Sequence, residues 1–424
     1  MKLYKLCLAI YLAYSVGCSV FAQQSNSKIV YPHLTSKTKT ITVETTSSIF
    51  NPKFTDFSDG VAWVQNDVTK KWGLIDTIGN ILIDFTLPIG NIEDVPAFQQ
   101  GVCPLSIPGK GYIIINKSGK IVVRLPETRK LSPFIDGIAT GFLSVKNPKK
   151  STPLQPVYDI KAVFLNMKGQ VIWTHLATSI QPFDQLKPMR PFNNGLAAYY
   201  DYVKRKWGYI NKEGKIMIPA VLEEAKDFSE GLAAVKRDGK WGYINTKGLM
   251  SISNIFTKEP ENFSSGRAVV YKNQQKNNAC YIDTLGKICT TDFYSALSYI
   301  EGYAFAIGAL KDVFTPEVTY VFDKNNHILC KLNDFAIQNS DGSPGVIFKD
   351  EILYKYVPGF DRDDYKIIDF NGNTLMSGLT GTFNNGLAAF SVDISESNQG
   401  ERNYIFGFTD REGNVVIQFK KNEF

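Results

Sequence analysis

Histidine is almost missing from this chain: three residues, His33, His175 and His327, are scattered over 424 positions. That spacing argues against a histidine-rich metal centre and against an acid–base pair legible in sequence. Charge is also sparse, at 21% of residues, with 47 basic against 41 acidic side chains. The two signs are interspersed, so no basic stripe offers itself to a nucleic acid, and none is expected as partner. Six cysteines include no C-x-x-C pair, which excludes the usual zinc frameworks. After the first 22 residues no apolar run reaches the roughly 18 residues that a spanning helix needs. No G-x-S-x-G, no H-E-x-x-H and no phosphate-cradling glycine loop is present, so no catalytic residue, cofactor or metal is expected and the chain reads as no enzyme.

The amino terminus does carry a signal. Lys2 and Lys5 precede an apolar run from Leu6 to Phe21, which closes on Val20-Phe21-Ala22 before Gln23. A short basic region, a brief apolar stretch and small residues at the cleavage positions describe an export signal over residues 1–22. Anchoring as a lipoprotein at Cys18 is the weaker alternative, because Ser15-Val16-Gly17 lacks the usual leucine. Cleavage removes two lysines and no acids, so 45 basic residues face 41 acidic ones and the formal charge falls from +6 to +4. Cys103, Cys280, Cys289 and Cys330 remain, and a Cys280–Cys289 bridge across one hairpin stands against two buried thiols. Residues 23–50, with nine Ser or Thr between 35 and 48, read as a partly disordered linker or a loosely held edge strand.

From residue 51 to 424 the chain repeats. One unit reads Phe228-Ser-Glu-Gly231-Leu-Ala-Ala, then Lys240-Trp241-Gly242-Tyr243-Ile244-Asn245, then Gly248. A second has Phe192, Gly195, Trp207, Gly208 and Gly214 in the same places, and a third Phe57, Gly60, Trp72, Gly73 and Gly79. The opening glycine returns at 60, 101, 137, 195, 231, 266, 302, 345 and 386, which makes nine units. Each also carries Asn or Asp, two free residues, then Gly, as in Asn211…Gly214; the seventh unit has Asp323…Asn326. Such spacing suits a hairpin whose fourth residue takes positive φ. The flanks alternate or run apolar, so each unit reads as a three-stranded antiparallel meander with one face covered by its neighbours. The stretch Leu222-Glu-Glu-Ala-Lys-Asp227 has a helical look and links two units.

The phenylalanine before each opening glycine (57, 98, 134, 192, 228, 263 and 383, with Tyr299 once) reads as a core anchor, each ring contributing about 2–3 kcal/mol when fully buried. Trp72, Trp207 and Trp241 read as core, each followed by a glycine that clears space for a large ring. A carbohydrate-stacking platform is the alternative role for these rings.

These units resemble the bacterial WG-repeat family, also called KWG repeats, over most of residues 50–420. The resemblance implies architecture and no catalytic residues. The expected fold is an all-β tandem array of about nine meanders, an open superhelical solenoid being favoured over propeller-like closure, since three strands fall one short of a propeller blade. Function is sought where units depart from the pattern. Unit 3 has a long insert at Lys146–Pro156 carrying Lys149 and Lys150, unit 8 inserts around Asp361, Asp363 and Asp364, and unit 9 inserts Asp393 to Asn403. Insertions at one place in a repeat emerge on one edge, often the binding edge. Tyr199, Tyr200 and Tyr202 are the aromatics expected to be exposed there. The leading expectation is an exported binding or scaffold module for an envelope protein or glycan. A structural spacer comes second, and third a glycan hydrolase with carboxylates from separate repeats about 5–9 Å apart.

Overall fold

The computed structural model describes residues 29–45, 52–89, 96–107, 109–151, 157–178, 189–272, 279–290, 293–308, 318–325, 327–333, 345–350, 352–357, 364–369, 372–393 and 404–421. Among the described residues every regular element is a strand, and no helix is present. Unit 5 shows the pattern most fully. Its strands Glu224–Ala225, Leu232–Arg237, Lys240–Asn245 and Met250–Phe256 lie side by side in chain order, each antiparallel to the next. The segment with the helical look is therefore a strand end followed by a short inner strand. Lys226 N donates to Ala234 O at 2.9 Å, continuing a ladder that a helical turn would leave unsatisfied.

That inner strand adds a fourth to the three expected in units 3, 5, 7 and 8, whereas units 1, 2 and 4 form three-stranded sheets as expected. Units 3, 7 and 8 have it as a named element, at Thr128–Leu131, Ser295–Ala296 and Val346–Lys349. Elsewhere it is written in one recurring bond, Thr55 N to Trp63 O, Arg190 N to Ala198 O and Glu261 N to Val269 O. The inner strand turns into the next through two residues of positive φ, for example Glu230 at 52° and Gly231 at 80°. This is a type I′ hairpin, whose twist matches the strands it joins. In the eighth unit the turn is at Asp350 (φ 51°), not at Gly345, and Phe348 takes the anchor position. Gly345 instead accepts a backbone bond from Tyr356 N at 3.0 Å.

A non-glycine residue at φ near 52° costs about 1–2 kcal/mol in steric strain, and here its side chain reaches across to the next unit. Asp59 accepts from Gly101 N at 2.6 Å, Asn194 from Gly231 N at 3.0 Å, and Glu230 from Ser265 N and Gly266 N at 2.6 and 2.8 Å. Asn385 of unit 9 accepts from Gly60 N of unit 1 at 3.1 Å.

Successive units pack face to face, so both faces of each sheet are covered rather than one. In unit 4, Ala197 and Tyr199 join the core shared with unit 3, while Leu196, Ala198 and Trp207 join the core shared with unit 5. The same arrangement links unit 9 to unit 1: Leu387, Ala389, Phe406, Phe408 and Phe419 lie in one core with Phe57, Ala62 and Ile75. Phe57 and Phe408 meet edge to face at 4.6 Å. Residues His33–Val43, read as linker or edge strand, form a strand parallel to Asn414–Lys421 on the outside of the ninth unit's sheet.

The glycine of a Trp-Gly pair clears space for a ring, as expected, in two units: a Cβ would stand 3.1 Å from the Phe85 ring at Gly73 and 2.8 Å from Tyr199 Cε1 at Gly208. Neighbouring backbone crowds it as well. The third strand bulges opposite it, with Trp207 paired to Leu222 but Tyr209 to Ile218. A Cβ on Gly208 would stand 2.6 Å from Ile218 O and 2.8 Å from Ala220 N. Glycine is thus required by a neighbouring backbone, and the tryptophans pack in the seams, Trp72, Trp207 and Trp241 being buried.

Candidate functional site

Strand direction sorts the connections onto two ends. The type I′ turns and the Asx-x-x-Gly hairpins share one end. The hairpins joining the first long strand to the second lie at the other. On the first end the turns are uniform: Asn245 Oδ1 accepts from Lys247 N and Leu249 N at 3.0 and 3.1 Å, and Gly248 has φ 78°. The same bonds recur at Asp76, Asn116, Asp283 and Asp410. On the second end the connections vary. Unit 5 crosses with Asp238 and Gly239 alone, whereas unit 3 breaks between Lys146 and Tyr158, unit 7 between Ile307 and Val318, and unit 9 between Asp393 and Tyr404. The insert of unit 7 is one that the sequence reading overlooked.

The structure brings the sequence-predicted residues of units 3 and 4 to this variable end. Lys149 and Lys150 are exposed, their backbone amides held by Asn147 Oδ1 at 3.0 and 3.2 Å. Tyr200 and Tyr202 are half-buried and meet edge to face at 4.9 Å. Tyr199 is not exposed: at 3% accessibility it packs into the unit 3–4 seam, because alternate residues of a strand covered on both faces all turn inward. Asp364 is half-buried and 3.6 Å from the Lys366 ammonium. Asp361 and Asp363 lie outside the described residues, as do Asn326 and the export signal.

Beside Tyr199 is a group that sequence reasoning missed. Trp173 and His175, two apart on the outer strand of unit 3, stack at 5.7 Å with their planes 13° apart. Trp173 meets Tyr199 edge to face at 5.3 Å, and His175 Nε2 lies 3.7 Å from Asp201 Oδ1. Burial and the Asp201 carboxylate push the Tyr199 phenol up, opposed by a bond with the Ala220 backbone. Asp201 is committed to its turn, accepting from Val203 N and Lys204 N at 3.0 and 2.9 Å. The available signal was the period of two, Trp173-x-His175, in a strand.

A second charged group follows the inner strands. Lys226 lies 3.1 Å from Glu259 and 3.3 Å from Glu261 of the next unit, and Arg190 is 3.9 Å from Asp227. Burial raises Asp227, opposed by Arg190 and Lys226. The tyrosine after two of the three Trp-Gly pairs ties units together: Tyr209 donates to Lys226 O at 2.6 Å and Tyr243 to Glu261 O at 2.7 Å. Cys103 and Cys280 are buried and Cys289 half-buried, and none of the three is disulfide-bonded. Among the described residues no helix is long and apolar enough to cross a membrane, and no three metal-ligating side chains gather.

The family model of the WG containing repeat matches residues 207–241, one full period from Trp207 to Trp241. The chain thus carries a WG repeat. No curated protein matches its sequence. Among solved structures it is similar to a eukaryotic initiation factor, with 12% identity over 88% of this chain and 98% of that one and a TM-score of 0.51. At that identity the likeness is one of fold alone. It is also similar to the C-terminal WD40 domain of Sif2 (10% identity, 89% and 92% covered, TM-score 0.33). A third is the beta-propeller domain of the Trilobed protease from Pyrococcus furiosus (11%, 67% and 94%, TM-score 0.30). The Trp-Gly letters also stand at Trp72-Gly73 of unit 1, and the units without them share the geometry alone.

Proposed function

We propose that this chain is an exported, non-catalytic binding module whose nine units close into a propeller-like ring and present their inserts to an envelope protein or glycan. One observation carries the binding reading: connection length varies at one end of the sheets and is uniform at the other. A scaffold that only had to hold its shape would gain nothing from confining its variation to one end. Closure is supported by the core common to units 9 and 1, by the pairing of 33–43 with 414–421, and by the Asn385–Gly60 bond. The open array favoured from three-stranded units lacks these contacts. The fourth strand of units 3, 5, 7 and 8 also weakens the reason for preferring it. The turn carboxylates Asp76, Asp283 and Asp410 are engaged by backbone amides, which suits a structural duty better than hydrolysis. Residues 1–22 support export by their basic, apolar and small-residue pattern.

Capture tests the reading. The purified chain is used as bait against solubilised envelope of its own source, beside a variant with the 147–156 and 393–403 inserts shortened. Saturable retention of a protein or glycan by the parent and its loss in the variant is expected. Equal retention by both would remove the insert end from the account, and no retention by either would leave a spacer.

A further inference from the structure

Bases that are interspersed with acids along the sequence gather at the variable end of units 3 and 4. The insert of unit 3 opens with Lys146, Lys149 and Lys150, and the hairpin of unit 4 carries Lys204 and Arg205; all are exposed. Two Asx caps hold these turns. Asn147 Oδ1 accepts from the Lys149 and Lys150 amides, and Asp201 Oδ1 from those of Val203 and Lys204. The acids of this end are already engaged. Asp159 Oδ2 takes a bond from Asn147 Nδ2 at 2.8 Å, and Asp201 lies 3.7 Å from His175 and 4.0 Å from Lys204. Among the described residues no carboxylate pairs with Lys146, Lys149, Lys150 or Arg205. The uniform end differs: there lysines of the Asx hairpins meet acids of the type I′ turns, Lys117 with Asp59 at 3.2 Å and Lys212 with Asp136 at 3.3 Å.

Strand register places the two basic turns at one seam. Lys146 is paired with Tyr158 at the mouth of the insert. Both share the strand face of Phe142 and Ile160, which looks onto unit 4. Tyr202, within the unit 4 hairpin, packs against that same core, as Ile160 and Trp173 do. The basic insert and the basic hairpin therefore flank the seam between units 3 and 4, with Tyr158 45% exposed and Tyr202 half-buried at its end.

We propose that this seam binds an anionic polysaccharide, whose carboxylates pair with Lys149, Lys150, Lys204 and Arg205 and whose sugar rings lie against Tyr158 and Tyr202. The inference deepens the binding reading above and rests on it. Bonds from ammonium and guanidinium groups to carboxylates are charge-assisted, and bases held in capped turns lose less freedom on binding than loose ones. Tyrosine offers an apolar ring face and a polar tip, which matches the two characters of a sugar. A nucleic acid fits less well, because the bases sit on two turns rather than along a stripe. An acidic peptide would use the charges but give the ring faces no flat partner.

Titration calorimetry tests it with polygalacturonate, alginate, neutral dextran, poly-glutamate and a single-stranded oligonucleotide, on the purified chain and two charge-matched variants. One is Lys149→Gln/Lys150→Gln/Lys204→Gln/Arg205→Gln. The other, on exposed lysines of the uniform end, is Lys120→Gln/Lys168→Gln/Lys215→Gln/Lys247→Gln. Polygalacturonate or alginate is expected to bind the parent, more weakly as salt rises, and none of the other probes to match it. The first variant should lose about tenfold or more in affinity, since four exposed ion pairs are removed, and the second should bind as the parent does. Tyr158→Ala should lose about threefold. Absence of binding by both acidic polysaccharides, equal loss in the two charge variants, or binding of poly-glutamate or the oligonucleotide as tight as theirs overturns the proposal. Should the first variant unfold, the parent still decides: affinity indifferent to salt overturns it. Capture of an envelope partner without binding of either polysaccharide overturns the anionic glycan alone; no capture at all removes the binding reading beneath it.

Discussion

Replacing Gly242 by alanine should be among the most damaging single-methyl changes in this protein. The backbone there is ordinary strand, so no φ strain is involved. The added Cβ would meet Ile252 O at 2.6 Å, Asn254 N at 2.8 Å and Ser253 C at 2.8 Å, all backbone atoms of the bulged third strand. Real Cβ contacts are never that short, and backbone cannot swing aside as a side-chain end can. Overpacking a well-filled core costs about 1–3 kcal/mol, and the upper part of that range is expected because the bulge itself must move. Gly231→Ala is the matched control. Its Cβ would meet nothing within 4 Å, so its cost is the positive φ of 80° alone, about 1–2 kcal/mol. Urea unfolding followed by tryptophan fluorescence and circular dichroism compares the two. The reasoning fails if Gly242→Ala unfolds at the parent's urea concentration, or if it is no worse than Gly231→Ala.

Other outcomes follow from the seams. Glu230→Ala removes the acceptor of two backbone amides across units 5 and 6 and should cost about 1–3 kcal/mol; an unchanged midpoint would show that those amides find other partners. Tyr209→Phe strips the buried donor from Lys226 O and should cost about 1–2 kcal/mol, read by the same unfolding assay, whereas no loss would mean that the bridge is idle. The buried Asp227 carboxyl is raised above its ordinary value of 3.8, so it holds its proton more tightly folded than unfolded. Its contribution to stability is fullest below pH 3.8 and is lost as pH rises through the raised value. Asp227→Asn, which cannot titrate, should therefore gain in melting temperature on the parent between pH 4 and 8, and a constant or shrinking difference would refute the sign.

What was readable in the letters was whatever one unit fixes locally. The Asx-x-x-Gly hairpin is encoded in four consecutive residues, and Asn245 through Gly248 fold as their spacing predicts. The same holds for the phenylalanine anchors, since Phe192 and Phe228 are apolar wherever they sit. What was not readable depends on a neighbour. The inner strand is two residues in unit 5, too short for a period to register, and it exists because the next strand offers a free edge. Tyr199 looked exposed beside Tyr200 and Tyr202, but a strand covered on both faces shows no polar alternation to mark an outer side. The eighth unit escaped because its turn carries Asp350 where the others have a residue before glycine, so Gly345 drew attention in its place. The pairing of residues 33–43 with 414–421 joins stretches almost a whole chain apart, with no motif in either.

Small-angle X-ray scattering on the purified chain tests the central claim, the closed ring, most directly. A compact particle of about 400 residues should have a radius of gyration near 21–22 Å, with a single-peaked distance distribution. An elongated particle with a clearly larger radius and a long distance tail would contradict closure and restore the open array.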